Sequence, residues 1–415
     1  MNNGPELRLP TGMRDFAPAA AASRRRIAET LLSVFERWGF ARVITPAFEY
    51  EDVLALGLGG AGRAAAIRFV EPSSGQVVAL RPDITPQIAR LIATRFRDEA
   101  GAIRLCYEGT VVRLERGARG QRELIQAGVE LAGVSSPHGD AEVIALGVAA
   151  LAAAGLGAPT IDLGHLGLAR EVLDALDLPD GEREEARLAI GKRDGSTLEA
   201  ILRHARGPKP ATAFAALLPS LSGPPSILAD ARKRAPTTGI KRALADLQAI
   251  VDAVAARNVG ARVRVDLGEV RGFDYYTGVR VQGFVAGAPD AVLAGGRYDD
   301  LLGRYGRPSP AVGFAIDVEA AAGALDARAQ EAERVGGAGA AAPANGNGAV
   351  LVVGPPAAAQ RLADELRAQG KRAVAELSGL PEGELSAYAA RWGFGSIVRA
   401  GDRAGANIKQ GKRKR

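Results

Sequence analysis

Apolar and polar residues alternate with two different periods along this chain, which predicts a mixture of helices and strands. Between Ser23 and Trp38 the apolar residues recur every three or four positions, as in an amphipathic helix. Between Leu124 and Leu131 they recur at every second position, so Gln126 and Glu130 share one face of a strand. We expect the apolar face of this strand in the core and the other face to form a polar floor.

Further periodic segments lie on both sides of a helix-rich stretch. Helices are predicted at 85–96, 140–153, 166–176 and 360–369, and strands at 42–45, 77–80, 103–107, 110–115, 160–163, 263–267, 275–284, 311–316, 349–353 and 372–376. Residues 180–258 are rich in Ala, Leu, Arg and Glu and are broken by Gly-Pro turns, which is typical of a helical insertion. The main sheet is therefore expected to collect strands from both sides of this insertion.

Length and composition favour more than one domain. The chain has 415 residues, of which 47% are hydrophobic, enough for large buried cores. Residues 321–348 are low in complexity and rich in Gly and Ala, so they are interpreted as a flexible linker. This interpretation divides the chain into residues 1–320 and a small α/β unit at 349–415, with few contacts expected between them.

The formal net charge of +6 comes mostly from the end of the chain. Residues 401–415 carry six basic residues and one acidic residue, a net of +5 that leaves about +1 for the rest. A basic run at a terminus is more typical of a solvated tail than of an RNA site. Nucleic-acid binding is therefore not predicted.

Targeting signals and cysteine content point to a cytoplasmic protein. No run reaches the roughly 18 apolar residues that a membrane span needs, and the basic N-terminal region lacks the apolar core of a signal peptide. The single cysteine, Cys106, cannot form an internal disulfide and is expected to be a buried apolar residue.

Several polar residues are candidates for a binding site, and each has a structural alternative. Asp83 and Thr85 stand at the start of a predicted helix, where capping alone would explain them. Gln126 and Glu130 can bind both nitrogens of an imidazole, although a buried acid can equally be neutralised by an arginine such as Arg113 or Arg271. Tyrosines in strands are most often packing residues, and this alternative applies to Tyr275, Tyr276 and Tyr298.

Five segments in order resemble the motifs of histidyl-tRNA synthetases, and the resemblance covers residues 8–320. The two most specific are Arg-Gly-Phe-Asp-Tyr-Tyr-Thr-Gly at 271–278 and Ala-Gly-Gly-Arg-Tyr-Asp at 294–299. The resemblance implies an α+β fold of the class II synthetase type: a mixed, mostly antiparallel sheet flanked by helices, usually dimeric.

The same resemblance implies a pocket for free L-histidine. Asp83 and Thr85 would hold the ammonium group, and Arg271 the carboxylate. Gln126 and Glu130, with Tyr275 or Tyr298, would hold the imidazole, while Arg113 and Tyr276 complete the set.

One departure from the synthetase pattern changes the expected function. Synthetases end the third motif with Gly-Leu-Glu-Arg, whose arginine holds ATP, whereas this chain has Asp-Val-Glu-Ala at 317–320. Losing a cation from an ATP clamp removes transition-state stabilisation. In this respect the chain is similar to the ATP phosphoribosyltransferase regulatory subunits, a non-catalytic family related to the synthetases.

That similarity implies a protein without catalytic residues that acts on a separate enzyme of L-histidine biosynthesis. It implies a homodimer within a hetero-oligomer, with a short-form ATP phosphoribosyltransferase catalytic subunit as partner and L-histidine as feedback effector. A diverged histidyl-tRNA synthetase and an RNA-binding regulatory module remain as alternatives. No cofactor motif occurs, and His138, His165 and His204 lack metal-ligand spacing, so neither a cofactor nor a metal site is predicted.

Overall fold

The computed structural model describes residues 8–114, 120–272, 275–335, 349–392 and 394–401. The helices within these ranges are α1 (Pro18–Arg37), α2 (Glu51–Gly57), α3 (Gly60–Ala65), α4 (Thr85–Arg95), α5 (Pro137–Ala153), α6 (Leu166–Ala175), α7 (Asp180–Lys192), α8 (Gly195–Leu202), α9 (Lys209–Leu217), α10 (Ile227–Arg234), α11 (Thr238–Ala256), α12 (Leu301–Arg304), α13 (Val318–Val335), α14 (Pro356–Ala368) and α15 (Glu382–Arg391). The strands are β1 (Ala41–Arg42), β2 (Phe48–Tyr50), β3 (Arg68–Val70), β4 (Val77–Leu80), β5 (Ile103–Val112), β6 (Glu123–Ala132), β7 (Thr160–His165), β8 (Ser222–Gly223), β9 (Arg262–Asp266), β10 (Val279–Phe284), β11 (Leu293–Arg297), β12 (Ala311–Asp317), β13 (Ala349–Val353), β14 (Ala373–Ala375) and β15 (Phe394–Arg399).

A nine-stranded mixed sheet organises the molecule, in the order β1-β5-β6-β12-β11-β10-β7-β9-β8. The β1–β5 and β7–β9 pairs are parallel and the other neighbours are antiparallel. The predicted α+β class with a mostly antiparallel sheet is confirmed. Strands from both sides of α7–α11 meet in this sheet.

Helix α5 lies at the centre of the main core. Its buried residues are distributed around the whole helix, because it packs against the sheet and also against α1, α11 and α14. A helix that is apolar on all sides is expected to be enclosed in this way. Cys106 is buried in the neighbouring strand, as predicted.

Some strand boundaries differ from the predicted ones. Residues 103–115 were predicted as two strands, but β5 runs unbroken to Val112 because Gly109 keeps its ladder position opposite Gln126. A Cβ at Gly109 would collide with the guanidinium of Arg81. The glycine therefore makes room for a buried side chain instead of ending the strand.

A separate three-stranded sheet, β2-β4-β3, carries much of the exposed apolar surface. Phe48 and Tyr50 of β2 are each 44% exposed, Val70 is 61% exposed, and Ile44 just before β2 is 87% exposed. Phe48 also contacts Phe69 edge to face. This group of side chains, which we call the β2–β4 patch, has no covering element in the described chain.

The C-terminal unit, residues 349–401 as described, is a small parallel sheet in the order β14-β13-β15 with α14 and α15. It packs closely on the rest of the molecule, and the expectation of few contacts is wrong. Arg104 of β5 is 1% exposed and donates to Ala375 O at 2.6 Å. The guanidinium of Arg367 stacks on the Trp38 ring at 3.6 Å.

The predicted linker begins too early. Residues 321–335 continue α13, so the interpretation of residues 321–348 as a linker is wrong for this part. Alanine has the highest helix propensity, and the alanine-rich sequence that looked low in complexity forms a helix. Residues 336–348 and the basic tail at 402–415 lie outside the described residues.

Candidate ligand-binding site

A cavity of about 280 Å³ opens on the central sheet where β6, β12 and β11 lie side by side. Gly128, Ala315 and Ala294 are register partners in this part of the sheet, so their side chains share one face. Small side chains in this row leave space above the sheet. The volume is near the lower end of the roughly 300–1,000 Å³ typical of small-molecule sites.

Most of the predicted site residues surround this cavity. Seven of them line it directly: Asp83, Thr85, Arg113, Gln126, Tyr275, Tyr276 and Tyr298. Glu130 is in contact with the lining, and Arg271 lies outside it. The site therefore collects residues from β6, β11, the start of α4 and the turn before β10.

Glu130 is held below the cavity by two phenol groups. Tyr107 donates to its Oε1 at 3.2 Å, and Tyr298 donates to its Oε2. The residue is 2% exposed. Burial, together with the nearby charge of Asp83, raises the pKa of Glu130 well above its ordinary value of 4.5.

The room for this carboxylate comes from a glycine on the neighbouring strand. Gly313 is the register partner of Glu130, and a Cβ at Gly313 would collide with Glu130 Oε2. Gly128 has a similar relation to Tyr107, whose hydroxyl would lie 2.5 Å from an added Cβ. The two glycines therefore let Glu130 and Tyr107 lie flat on the sheet.

Three tyrosine rings form one wall of the site. The Tyr275 ring lies 5.0 Å from Tyr276 and 5.4 Å from Tyr298, measured between centroids. The hydroxyl of Tyr275 and Oε1 of Gln126 are both buried and have no hydrogen-bond partner among the described residues. Unpaired buried polar atoms are costly, and both of these atoms belong to residues that line the cavity.

Asp83 and Thr85 stand together at the entrance to α4. Asp83 Oδ1 accepts from the Thr85 backbone N–H at 3.3 Å and from its hydroxyl at 3.4 Å. The Thr85 hydroxyl also lies 3.5 Å from the Tyr107 hydroxyl. The capping alternative is therefore present in this geometry, and the carboxylate still lines the cavity.

The charges that line the cavity are mostly negative. Asp83 and Asp317 are acidic, and Arg113 is the basic residue among the described lining residues. Arg113 Nε donates to Pro82 O at 2.9 Å, which holds the guanidinium beside the start of α4. Glu130 contacts these lining residues from below the cavity. This arrangement of charges suits a ligand that carries a positive group and a single carboxylate.

Arg271 is not brought into the cavity. Its Nε donates to Glu269 Oε1 at 2.9 Å, and its Nη2 donates to Gln282 Oε1 at 2.6 Å. Its neighbours Phe273 and Asp274 lie outside the described residues. Sequence reasoning missed Glu269 and Tyr107, because both act through side-chain directions that depend on the strand register.

The position of the synthetase ATP arginine is occupied by a buried methyl group. Ala320 is 3% exposed, and its backbone N–H donates to Asp317 Oδ1 at 2.8 Å at the start of α13. Glu319 is paired with Arg14 at 2.7 Å and Arg24 at 2.8 Å. No positive side chain of α13 therefore reaches the cavity within the described residues.

Of the three histidines, His165 has a structural role. His165 accepts from the Leu168 backbone N–H at 3.1 Å and so caps α6. Burial lowers its pKa to about 4. No group of three potential metal ligands occurs among the described residues, and none of the described helices is long and apolar enough to cross a membrane.

The fold agrees with a known class. The family model for histidyl-tRNA synthetase matches residues 12–321, which defines a histidyl-tRNA synthetase-like protein. A crystal structure described as an ATP phosphoribosyltransferase regulatory subunit/histidyl-tRNA synthetase, from Bacillus halodurans C, superposes with a TM-score of 0.72 at 25% identity. The superposition covers 96% of this chain and 100% of that one.

Two relatives define the family more narrowly. An ATP phosphoribosyltransferase regulatory subunit of Geobacter sulfurreducens is 42% identical over 324 residues, 78% of this chain and 74% of that protein. The one from Syntrophotalea carbinolica is 37% identical over 403 residues, 97% of this chain and 92% of that protein, so the similarity extends through the C-terminal unit. The chain belongs to the ATP phosphoribosyltransferase regulatory subunit family.

Proposed function

We propose that this protein is a non-catalytic subunit that binds free L-histidine and transmits feedback inhibition to a separate, short-form ATP phosphoribosyltransferase in the first step of L-histidine biosynthesis. The observation that carries the proposal is the pair of unpartnered buried atoms, Gln126 Oε1 and Tyr275 Oη, in one cavity. An amino acid with a nitrogen-bearing ring can satisfy both atoms.

The polar groups of histidine have matching partners in this cavity. Asp83 and Thr85 can receive the ammonium group, and Gln126 and Glu130, with Tyr275 or Tyr298, can receive the imidazole. Arg113 is the lining cation for the carboxylate. Tyr276 contributes its ring to the wall.

The same charges argue against adenylation. A nucleotide triphosphate needs several cations, whereas Asp83 and Asp317 outnumber Arg113 among the described lining residues. Ala320 adds no charge. These features favour the regulatory function over the diverged synthetase.

We further propose a homodimer within the hetero-oligomer. The β2–β4 patch offers apolar side chains that a second copy can cover, and exposed apolar patches mark interaction sites more often than chance. The mixed oligomer is expected in the cytoplasm, where its catalytic partner uses ATP.

Calorimetric titration tests the ligand. We expect wild-type protein to bind L-histidine, and Gln126→Ala to weaken binding about ten- to a hundred-fold, because a buried hydrogen bond to a charged ligand is worth roughly 1.5–3 kcal/mol. Gln248→Ala, on the exposed face of α11, serves as the matched control and should bind as wild type. Equal affinity in Gln126→Ala and Gln248→Ala would place the ligand elsewhere.

A reconstitution assay tests the regulatory role. The catalytic subunit should gain phosphoribosyltransferase activity when this chain is added and lose it again with histidine, because histidine must bind the active and inhibited assemblies with different affinity. Histidine-dependent exchange of pyrophosphate into ATP by the chain alone would instead support the synthetase.

A further inference from the structure

A buried acid outside the cavity holds two arginines at once. Glu269 lies between β9 and β10 and is 6% exposed. Its carboxylate accepts from the Arg271 backbone N–H at 2.8 Å, from Arg271 Nε at 2.9 Å and from Arg280 Nη1 at 2.7 Å. The pKa of Glu269 is lowered, because the hydrogen bonds and charges of the two arginines outweigh its burial.

The hydrogen bonds of Arg271 extend to Gln282 on β10, one strand beyond the cavity-lining strand β11. Gln282, which accepts from Arg271 Nη2, is the register partner of Ala294, which lines the cavity. Neighbouring strands lie about 4.8 Å apart. The guanidinium of Arg271 is therefore close to the ligand site without being part of it.

Hydrogen bonds, and not close packing, keep Arg271 in this position. Its side chain is 61% exposed, whereas that of Arg280 is 11% exposed. A long, exposed side chain samples many rotamers unless charged partners restrain it. Glu269 is the acidic partner that forms two side-chain bonds to this guanidinium.

The ring of Tyr276 separates Arg280 from the cavity. Arg280 is the register partner of Gly296, and the Tyr276 ring lies directly over Gly296, with Cδ1 2.8 Å from an ideal Cβ position there. Of the two arginines that Glu269 holds, Arg271 is therefore the one with the more exposed side chain.

We propose that Glu269 is a specificity-determining residue, which holds Arg271 outside the cavity so that the ligand carboxylate meets one cation among the described residues, Arg113. The inference rests on the proposed amino-acid site and adds to it the number of positive charges that the carboxylate encounters. A cavity with one cation suits a monocarboxylate, and a second cation would favour more highly charged anions.

The test compares L-histidine with histamine, which has the same ring and amine but no carboxylate. In wild-type protein, the dissociation constant of histamine divided by that of L-histidine measures the contribution of the carboxylate to binding. In Glu269→Ala we expect this ratio to rise by about tenfold or more in favour of histidine, because released Arg271 can add a charged hydrogen bond. Arg271→Ala in the same background should return the ratio to its wild-type value.

Arg271→Ala alone separates this inference from direct carboxylate binding. We expect it to leave the ratio within about threefold of wild type, less than one charged hydrogen bond would change it. Asp266→Asn is the matched control, since it removes a neighbouring acid that pairs with Arg193 and leaves the Glu269 bonds in place. It should not change the ratio.

If Glu269→Ala does not fold, Glu269→Gln replaces it in the test, because glutamine keeps one hydrogen-bond acceptor and has no negative charge. Glu269→Gln should raise the ratio in the same direction. An unchanged ratio in a folded Glu269 variant overturns the inference, as does a fall in the ratio for Arg271→Ala alone. Wild-type protein that binds neither compound overturns the proposed function itself.

Discussion

Glu130 combines a stability cost with the binding role proposed for it. Its carboxylate is buried, and its hydrogen bonds come from Tyr107 and Tyr298. No salt bridge to it occurs among the described residues. A buried acid without a cation disfavours its own ionised form, which is the reason its pKa is raised.

The sign of the pH effect follows from this shift. With a raised pKa, folded protein binds more protons than unfolded protein above the ordinary value of 4.5. The free energy of unfolding therefore falls as pH rises from that value through the folded pKa. A cationic ligand beside Glu130 would reverse this loss.

Glu130→Gln should separate stability from binding. The variant cannot ionise, so we expect its melting temperature without ligand to exceed that of wild type by a margin that grows from about pH 5 to about pH 8. Its histidine affinity should fall about ten- to a hundred-fold. Thermal melts and calorimetry measure both effects, with the exposed Glu184→Gln as control. A variant that is less stable and binds normally would contradict this account.

At the scale of elements, the site depends on where strands lack side chains. Gly313 of β12 leaves space for Glu130 of β6, and its added Cβ would also collide with the Val129 carbonyl. A carboxylate can rotate away, whereas backbone in a central strand cannot. Gly313→Ala therefore disturbs both the acid and the β6–β12 ladder.

Gly313→Ala should destabilise the protein by about 1–3 kcal/mol, as overpacking usually does, and should abolish measurable histidine binding. Chemical unfolding and calorimetry provide the measurements. Gly181→Ala is the matched control, since nothing lies within 4 Å of its added Cβ. That change in helix α7 should be neutral or stabilise by up to about 1 kcal/mol. Equal effects of the two changes would contradict the role assigned to Gly313.

The periodicity of apolar residues predicted some features of these strands, whereas the other features depend on the register between strands. The alternation from Leu124 to Leu131 correctly placed Gln126 and Glu130 on one face of β6. It could not reveal that Gly313 lies opposite Glu130, because pairing between distant strands is not encoded in the period of either strand. Arg271 was assigned to the cavity by its motif and its positive charge, and its actual partner, Glu269, depends on the turn geometry before β10.

At the scale of the whole molecule, the C-terminal unit completes the core. Arg104 is buried against that unit, where Ala375 and Tyr388 accept hydrogen bonds from it. The low-complexity composition of residues 321–348, just before the C-terminal unit, suggested that this unit makes few contacts with the rest of the chain. Complementary surfaces that are far apart in sequence leave no local pattern, so the docking was not predictable.

Removing residues 349–415 should lower the melting temperature and expose apolar surface. The truncation uncovers Trp38 and leaves Arg104 and Glu142 at a new surface, so buried apolar contacts between the two parts are lost. Thermal melts and binding of a hydrophobic dye measure the effect. Deletion of residues 402–415 alone is the control and should leave the melting temperature unchanged. A truncated chain as stable as the full chain would show that the docking contributes little.

The β2–β4 patch should determine the oligomeric state. Ile44→Asp places a charge on its most exposed apolar residue, and we expect the proposed dimer to dissociate at micromolar concentration in analytical ultracentrifugation, because a buried unpaired charge costs several kcal/mol. Leu188→Asp, at an exposed apolar position on α7, is the control and should remain dimeric. If both variants remain dimeric, the dimer interface does not include the β2–β4 patch.

Helix α5 begins with three contacts that join the cavity to the C-terminal unit. Asp140 forms a bidentate pair with Arg297, the residue before Tyr298. Glu142 pairs with Arg104, and the His138 carbonyl accepts from Gln360 of α14 at 2.6 Å. We therefore expect a restraint that a ligand places on Tyr298 to reach α14 through helix α5. Amide hydrogen exchange in α14 should slow when the cavity fills, although no described residue of the C-terminal unit lines it.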